Sequence, residues 1–238
     1  VPSLKYRISG DSLIFSGTGD PSFLNKDLPK SEVLKFLKES QQKLYYQPHS
    51  TTTTKLGPGW AWDDYNDYYS AERSEFPIYG NVASFGQSEL ENTPKTYPSF
   101  FQKMLIKTND KNSSKNIKRD LENNEFIYSD SWEAPKEEQI IPFKTSPQLF
   151  AQLLSDTLQK QITLLNTNKN VEKFERIIYS LPSDSIYKQM LLESDNFIAE
   201  QILMMASIKL NDSIAPDEVI RYMKENYLND LPQMKWVD

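Results

Sequence analysis

The chain contains no cysteine and one histidine, His49. The first absence excludes disulfides and thiolate chemistry, and the two together argue against a zinc site, whose ligands are mostly drawn from these side chains. Lack of cysteine does not choose a compartment, since cytosolic and periplasmic proteins can both do without it. Long apolar runs are missing as well: no stretch approaches the roughly 18 residues that a spanning helix requires. Val1 to Gly10 lacks the basic start and long apolar centre of a secretory signal. There is no basic excess either. The 27 Lys and Arg are scattered among 33 Asp and Glu, giving a net charge of −6, so the chain has no cationic stripe to displace counterions from a phosphate backbone, and a nucleic-acid partner is not expected. What remains is an ordinary globular composition. With 238 residues, 38% of them hydrophobic and 25% charged, the chain can bury at least one core, has room for one or two domains, and is not expected to be broadly disordered.

The first stretch reads as β. Leu4, Tyr6 and Ile8 alternate with polar residues, and Leu13-Ile14-Phe15 follows the turn-forming Gly10-Asp11, which suits a hairpin. Gly17-Thr18-Gly19-Asp20-Pro21 then punctuates the chain. Ser31 is a good N-cap for a short helix carrying Val33, Leu34, Phe36, Leu37 and Leu44. Ser50 to Lys55 is polar and without periodicity, hence a loop. From Glu89 to Glu138 the chain is polar, with the Asn-, Lys- and Ser-rich run Lys107 to Asn116 and strand-like pieces at Met104-Leu105-Ile106 and Glu125-Phe126-Ile127-Tyr128. This reads as a small inserted β module. After Ile140 the pattern turns helical. Ser146-Pro147 pairs an N-cap with proline at the first helical position, ahead of Leu149, Leu153, Leu154 and Leu158. Further helical regions open at Ser183, resume through Phe197, Ile198, Ile202 and Met205, and follow Pro216. The expected class is α+β, β-rich first and helical afterwards.

One tripeptide carries chemistry, Ser194-Asp195-Asn196. Taken alone, Ser-x-Asn recurs by chance, and a helix cap explains it better than a site does. Gly57-Pro58-Gly59-Trp60-Ala61-Trp62-Asp63-Asp64 is the most unusual composition in the chain, and its indoles can equally be read as packing for a small domain. Two further matches are set aside. Ser40-Gln41-Gln42-Lys43 and Ser185-Ile186-Tyr187-Lys188 both fit Ser-x-x-Lys, but each reads as solvated helix. Lys144-Thr145-Ser146 reads as a strand end leading into a helix cap. His49, beside Pro48 in a polar loop, is expected to have no chemical role, and Tyr65, Tyr68 and Tyr69 are expected to pack.

Taken together, these segments resemble the D-Ala-D-Ala carboxypeptidase/endopeptidase family, the class C penicillin-binding proteins. Ser180-Leu181-Pro182-Ser183-Asp184 through Leu192-Glu193-Ser194-Asp195-Asn196-Phe197-Ile198-Ala199-Glu200-Gln201 is similar to that family's second-motif region. Gly57 to Asp64, with Tyr69-Ser70-Ala71, resembles its Gly-Trp-x-Trp-Asp-Asp segment. Gly17 to Pro21 resembles its Gly-Gly-Asp-Pro-Thr turn, and Trp236-Val237-Asp238 the start of its Asp-Gly-Ser-Gly-Leu-Ser segment. The resemblance implies a β-rich accessory domain with a small β insert, followed by a helical part of a penicillin-recognising (β-lactamase/transpeptidase-like) domain. It maps the accessory domain to 1–85 and 138–166, the insert to 86–137, and the catalytic part to 167–238.

Such enzymes use three motifs, Ser-x-x-Lys, Ser-x-Asn and Lys-Thr-Gly. By resemblance this chain supplies the second, with the nucleophilic motif upstream and the third downstream. The chain is therefore expected to be an excerpt of an exported, periplasmic serine peptidase, inactive alone. Ser194 would relay a proton to the leaving amine, Asn196 would hold the substrate amide and the catalytic lysine, and Asp64 would face the substrate's side chain. The implied partners are peptidoglycan stem peptides, with β-lactams as inhibitors, and no metal or organic cofactor is implied. The alternative from another class is a non-catalytic cell-wall binding or scaffolding protein that kept the fold without the chemistry.

Overall fold

The structure is a computed structural model that describes residues 1–49, 54–57, 59–88, 93–109, 115–166, 173–211, 213–231 and 233–235. Pro58, part of the Ser50–Lys55 loop, part of the run Lys107–Asn116, and Trp236-Val237-Asp238 therefore lie outside the described residues. In chain order the first elements are β1 (Pro2–Ser9), β2 (Ser12–Gly17), α1 (Glu32–Glu39), β3 (Lys43–Tyr46), β4 (Val82–Gln87), β5 (Pro94–Tyr97), β6 (Leu105–Thr108), β7 (Lys118–Arg119), β8 (Phe126–Ser129) and β9 (Gln139–Pro142). They are followed by α2 (Pro147–Leu158), β10 (Ile162–Leu164), β11 (Arg176–Tyr179), α3 (Ser183–Glu193), α4 (Asn196–Asn211) and α5 (Pro216–Asn226). The class is α+β. The chain forms two compact units, one from Val1–Trp60, Arg73–Gly80 and Thr145–Asp238, the other from Ala61–Glu72 and Asn81–Lys144.

The first unit is built on a sheet of order β10-β3-β2-β1-β11. Its nucleus is the expected hairpin. Ser9 faces Ser12 across Gly10-Asp11, and Gly10 takes φ +58, the left-handed backbone that a two-residue hairpin turn requires. β3 runs parallel to β2 with Phe15 opposite Tyr46, and parallel pairing needs a crossover, which contains α1. Ser31 caps α1 as expected, its hydroxyl accepting the Val33 N–H at 3.3 Å. The helix stops earlier than its apolar stripe suggested. Ser40 turns to an extended ψ of 132°, and Lys160 Nζ donates to the carbonyls of Lys38 and Ser40 at 2.5 and 2.8 Å, satisfying groups left open at a helix end. Leu44 therefore belongs to β3, as does Lys43, and Ser40 caps the end of the helix rather than lying within it. β10 and β11 interrupt the region expected to be helical. β10 pairs parallel to β3, and β11 pairs antiparallel to β1.

Aromatic rings fill the core of this unit. Phe76 lies 4.5 Å from Phe150 and 5.3 Å from Phe23, centroid to centroid, with edges of Phe15 and Tyr46 at 6.3 and 6.4 Å. Ser146 caps α2, accepting the Leu149 N–H at 3.0 Å, and the helix presents Leu149, Phe150, Leu153, Leu154 and Leu158 as a buried stripe. The second unit has two three-stranded sheets, β5-β4-β9 and β6-β8-β7. The strand-like pieces near Leu105 and Phe126 are β6 and β8, paired in parallel. Its core gathers Phe85, Phe101, Phe126 and Phe143.

Because Phe76 contacts four rings, truncating it should leave a cavity that its neighbours cannot close. We expect Phe76→Ala to lower the unfolding free energy by about 3–5 kcal/mol in denaturant titrations. Leu192, 67% exposed on α3, should tolerate the same change within about 0.5 kcal/mol.

Candidate functional site

α3 begins directly after Pro182 and ends at Ser194, which adopts the left-handed conformation (φ 52, ψ 48) and donates its N–H to the Met190 carbonyl. Asp195 N–H reaches the same carbonyl at 3.0 Å. A serine in this region costs about 1–2 kcal/mol relative to helical backbone, and glycine is the usual occupant of such a helix end. α4 then starts at once. The Asp195 carbonyl accepts the Ala199 N–H at 3.1 Å, and its carboxylate accepts the Ile198 N–H at 2.9 Å. Asp195 is thus the N-cap of α4. Ser194 does not cap that helix: its side chain is exposed at the junction, and Asn196 is half-buried on the first turn beside it. Burial pushes the Asp195 carboxyl above the usual carboxylate range, although the Ile198 and Phe197 N–H groups pull the other way.

Buried polar contacts with segments much earlier in the chain seat α4. Phe197 and Ile198 enter the core. The next turn buries two polar side chains. Glu200 pairs with the Arg73 guanidinium at 2.5 Å, and Gln201 donates to the carbonyls of Gly19 and Ser74 at 2.7 and 2.8 Å while accepting the Ser74 N–H at 2.9 Å. Arg73 is 5% exposed and Glu200 2%. Nε and Nη2 of the same guanidinium donate to the Thr54 carbonyl and hydroxyl, both at 2.8 Å. The turn expected at Gly17–Pro21 supplies the rest of the seat. Gly19 takes φ +82, and a Cβ there would sit 3.3 Å from Met204 and Met205 of α4. Asp20 closes the turn by accepting the Ser22 N–H and hydroxyl at 3.0 and 2.8 Å. Glu200 lies in the segment that resembles the second-motif region, but neither its burial nor its pairing with Arg73 is signalled in the sequence, where isolated charges look like solvated surface.

Asp64 belongs to the second unit. It ends a 3-10 turn, Trp62–Asp64, and its N–H bonds the Ala61 carbonyl at 3.3 Å. Trp62 does not pack into a core, being 70% exposed, and Tyr68 and Tyr69, expected to pack, are exposed too. The Tyr69 hydroxyl donates to Asp67 at 3.1 Å. Desolvation, followed by the Asp67 and Asp64 carboxylates, pushes its phenol up to about 12. An ammonium would complement this pair of carboxylates.

His49 joins a buried network that the sequence did not signal. Its Nδ1 lies 3.1 Å from the Ser16 hydroxyl and 3.3 Å from Glu75. Ser16 donates to Glu75 at 3.0 Å, and the His49 N–H does so at 2.6 Å. Tyr46 completes the set at 3.3 Å from the same carboxylate; burial and then Glu75 raise its phenol well above the ordinary value. The grouping is not a nucleophilic triad. Serine and carboxylate share one ring nitrogen, whereas a base relay needs them on opposite nitrogens, and Ser16 is fully buried.

No described helix is long and apolar enough to cross a membrane. The architecture has counterparts among solved structures. It is similar to penicillin binding protein 4 from Haemophilus influenzae, with a TM-score of 0.60 and 14% identity, covering 94% of this chain and 56% of that one. A second structure of penicillin binding protein 4 from that organism, complexed with a β-lactam, gives a TM-score of 0.50 at 12% identity, covering 96% of this chain and 57% of that one. The chain therefore spans somewhat more than half the length of those proteins. No curated protein matches its sequence. The family model for the D-Ala-D-Ala carboxypeptidase 3 (S13) family matches residues 3–220, and the chain belongs to that family.

The Asp195 geometry gives a prediction with a definite sign. A carboxyl raised by burial favours its protonated form in the folded state, so its contribution to stability is largest in acid and is lost as pH rises through the folded value. Asp195→Asn keeps the acceptor for Ile198 without the charge. Its unfolding free energy should gain on the parent as pH rises from the ordinary carboxylate range toward neutrality. Asp195→Ala, which loses the cap, should cost about 1 kcal/mol at pH 7. Denaturant unfolding of the three proteins at pH 4 and pH 7 checks both statements.

Proposed function

We propose that the complete protein is a periplasmic serine-type D-Ala-D-Ala carboxypeptidase or endopeptidase acting on peptidoglycan stem peptides, with this chain supplying the Ser-x-Asn motif and the accessory segments. The observation that carries the reading is the junction between α3 and α4. Ser194 stays exposed in a left-handed turn while Asp195 takes over the capping, so the hydroxyl is not used by the helix and stays available two residues before Asn196. In this reading a serine outside the chain attacks the D-Ala-D-Ala carbonyl and forms an acyl-enzyme. Its proton travels by way of the Ser194 hydroxyl to the departing D-alanine amine, Asn196 holds the substrate amide and the catalytic lysine, and water then releases the acyl group. No cofactor takes part. Residues 1–85 and 138–166 form the accessory domain, 86–137 the insert and 167–238 part of the catalytic domain. The β-lactam bound to one of the similar proteins supports β-lactams as inhibitors of the complete enzyme.

Fluorescent penicillin labelling of the complete protein tests the reading. The parent should form a stable adduct, and Ser194→Ala and Asn196→Ala should each slow acylation by about a hundredfold or more. Ser194→Gly separates chemistry from folding, since glycine suits φ +52 yet lacks the hydroxyl, and it should be equally slow. A parent that takes no label would favour the non-catalytic cell-wall protein instead.

Asp64 provides the substrate preference in this proposal. A carboxylate facing the stem peptide's diamino acid accepts a charge-assisted hydrogen bond from its free ammonium, worth about 1.5–3 kcal/mol, or roughly ten- to a hundredfold in specificity. Asp64→Asn should lower kcat/KM by that factor for peptides with the free amine and leave acetylated peptides unchanged. Equal losses on both substrates would mean that Asp64 only supports its turn.

A further inference from the structure

We propose that Arg73, Glu200 and Gln201 are positioning residues that set the pose of Asn196 by clamping α4 to the segment Thr54–Gly57, an inference that rests on the role proposed above for Asn196. Glu200 follows Asn196 by one helical turn on the same face, and side chains on a helix lean back toward its N-terminus. The Glu200 carboxylate is therefore the group through which force on that turn is transmitted. It is gripped by Nη1 of the Arg73 guanidinium, while Nε and Nη2 of the same planar group hold the Thr54 carbonyl and hydroxyl. The Arg73 N–H adds a bond to the Lys55 carbonyl at 2.9 Å. Gly57 closes against the other side of Glu200, where a Cβ would overlap the carboxylate. Gln201 fixes the following residue to Gly19 and Ser74 with three hydrogen bonds. Segments remote in sequence thus meet on two consecutive residues of one helix, just below the turn that carries Asn196.

A stability role alone does not account for this choice of residues. Apolar side chains of similar volume commonly replace a buried ion pair with no loss of stability, whereas only a charged fork dictates orientation at both of its ends. Lysine in place of arginine keeps the charge but cannot grip Glu200 and Thr54 together.

The test uses the complete protein, with acylation by a fluorescent penicillin, thermal unfolding, and hydrogen exchange at the amides of Phe197 to Gln201. Arg73→Lys should remain folded, exchange faster at those amides, and acylate about a hundredfold more slowly, as expected for a catalytic group displaced by about an ångström. The Arg73→Met/Glu200→Met double variant should unfold near the parent's temperature yet acylate as slowly as Arg73→Lys. Wild-type acylation in either variant overturns the clamp. So does slow acylation of Arg73→Lys without faster exchange at α4, because the loss would then not pass through that helix. Asn196→Ala keeps the two readings apart. If it acylates normally, the role of Asn196 fails and takes the clamp with it. If it is slow while both clamp variants are normal, only the clamp fails.

Discussion

A guanidinium and a carboxylate that are both almost wholly removed from water can exist only together. Each alone would cost several kcal/mol of lost hydration, and the attraction between Arg73 and Glu200 offsets this only while geometry and remaining hydrogen bonds are satisfied. That requirement constrains a large part of the first unit. Thr54 has to present both its carbonyl and its hydroxyl to Arg73, Gly57 has to lack a side chain, and α4 has to enter at the height that brings Glu200 to the fork. The left-handed Ser194 and the Asp195 cap follow from the same placement, because α3 and α4 meet with no residue to spare between Glu193 and Asn196 beyond these two.

Glu75 shows the same logic in a second place. Its carboxylate accepts from Ser16, Tyr46 and the His49 backbone, drawing β2, β3 and the chain beyond β3 onto one buried anion. Arg73 and Glu75 lie two positions apart and face opposite tasks, one holding α4 and the other the sheet. With Ser74 bonded to Gln201 between them, this three-residue stretch links the strands to the helix that carries the Ser-x-Asn residues.

The parts of this fold legible in the sequence were those written in local chemistry. Gly10-Asp11 marked the hairpin, Ser31 and Ser146-Pro147 marked helix starts, and the apolar spacing after Ser183 and Pro216 marked α3 to α5. Each depends on groups within a few residues of one another. The misreadings have a common cause in partners remote along the chain. Leu44 fits a helical stripe as well as a strand, and it is a strand because β2 lies ready beside it. Ile162-Thr163-Leu164 is too short to show alternation, and β3 makes it a strand. The site follows the same rule. Ser194 and Asn196 could be singled out through their tripeptide and its neighbours, and Asp64 through the tryptophans before it. Arg73, the partner of Glu200, and the Glu75 network could not be read, since a charge whose partner is far away along the chain looks like any solvated charge.

The pairing of β1 with β11 also dictates the order in which the molecule can be assembled. Pro2 lies opposite Tyr179, so β1 waits for a strand made only after the whole of the second unit has been synthesised. During synthesis the hairpin of β1 and β2 exists early, with the outer edge of β1 open and able to accept a foreign strand. The strands of the second unit all fall between Val82 and Pro142 and pair with one another, so their partners are complete well before that edge is covered. Closing so long a loop is slow for reasons of topology rather than of bond strength. For this chain the vulnerable interval ends only when Arg176 to Tyr179 zip onto the first strand.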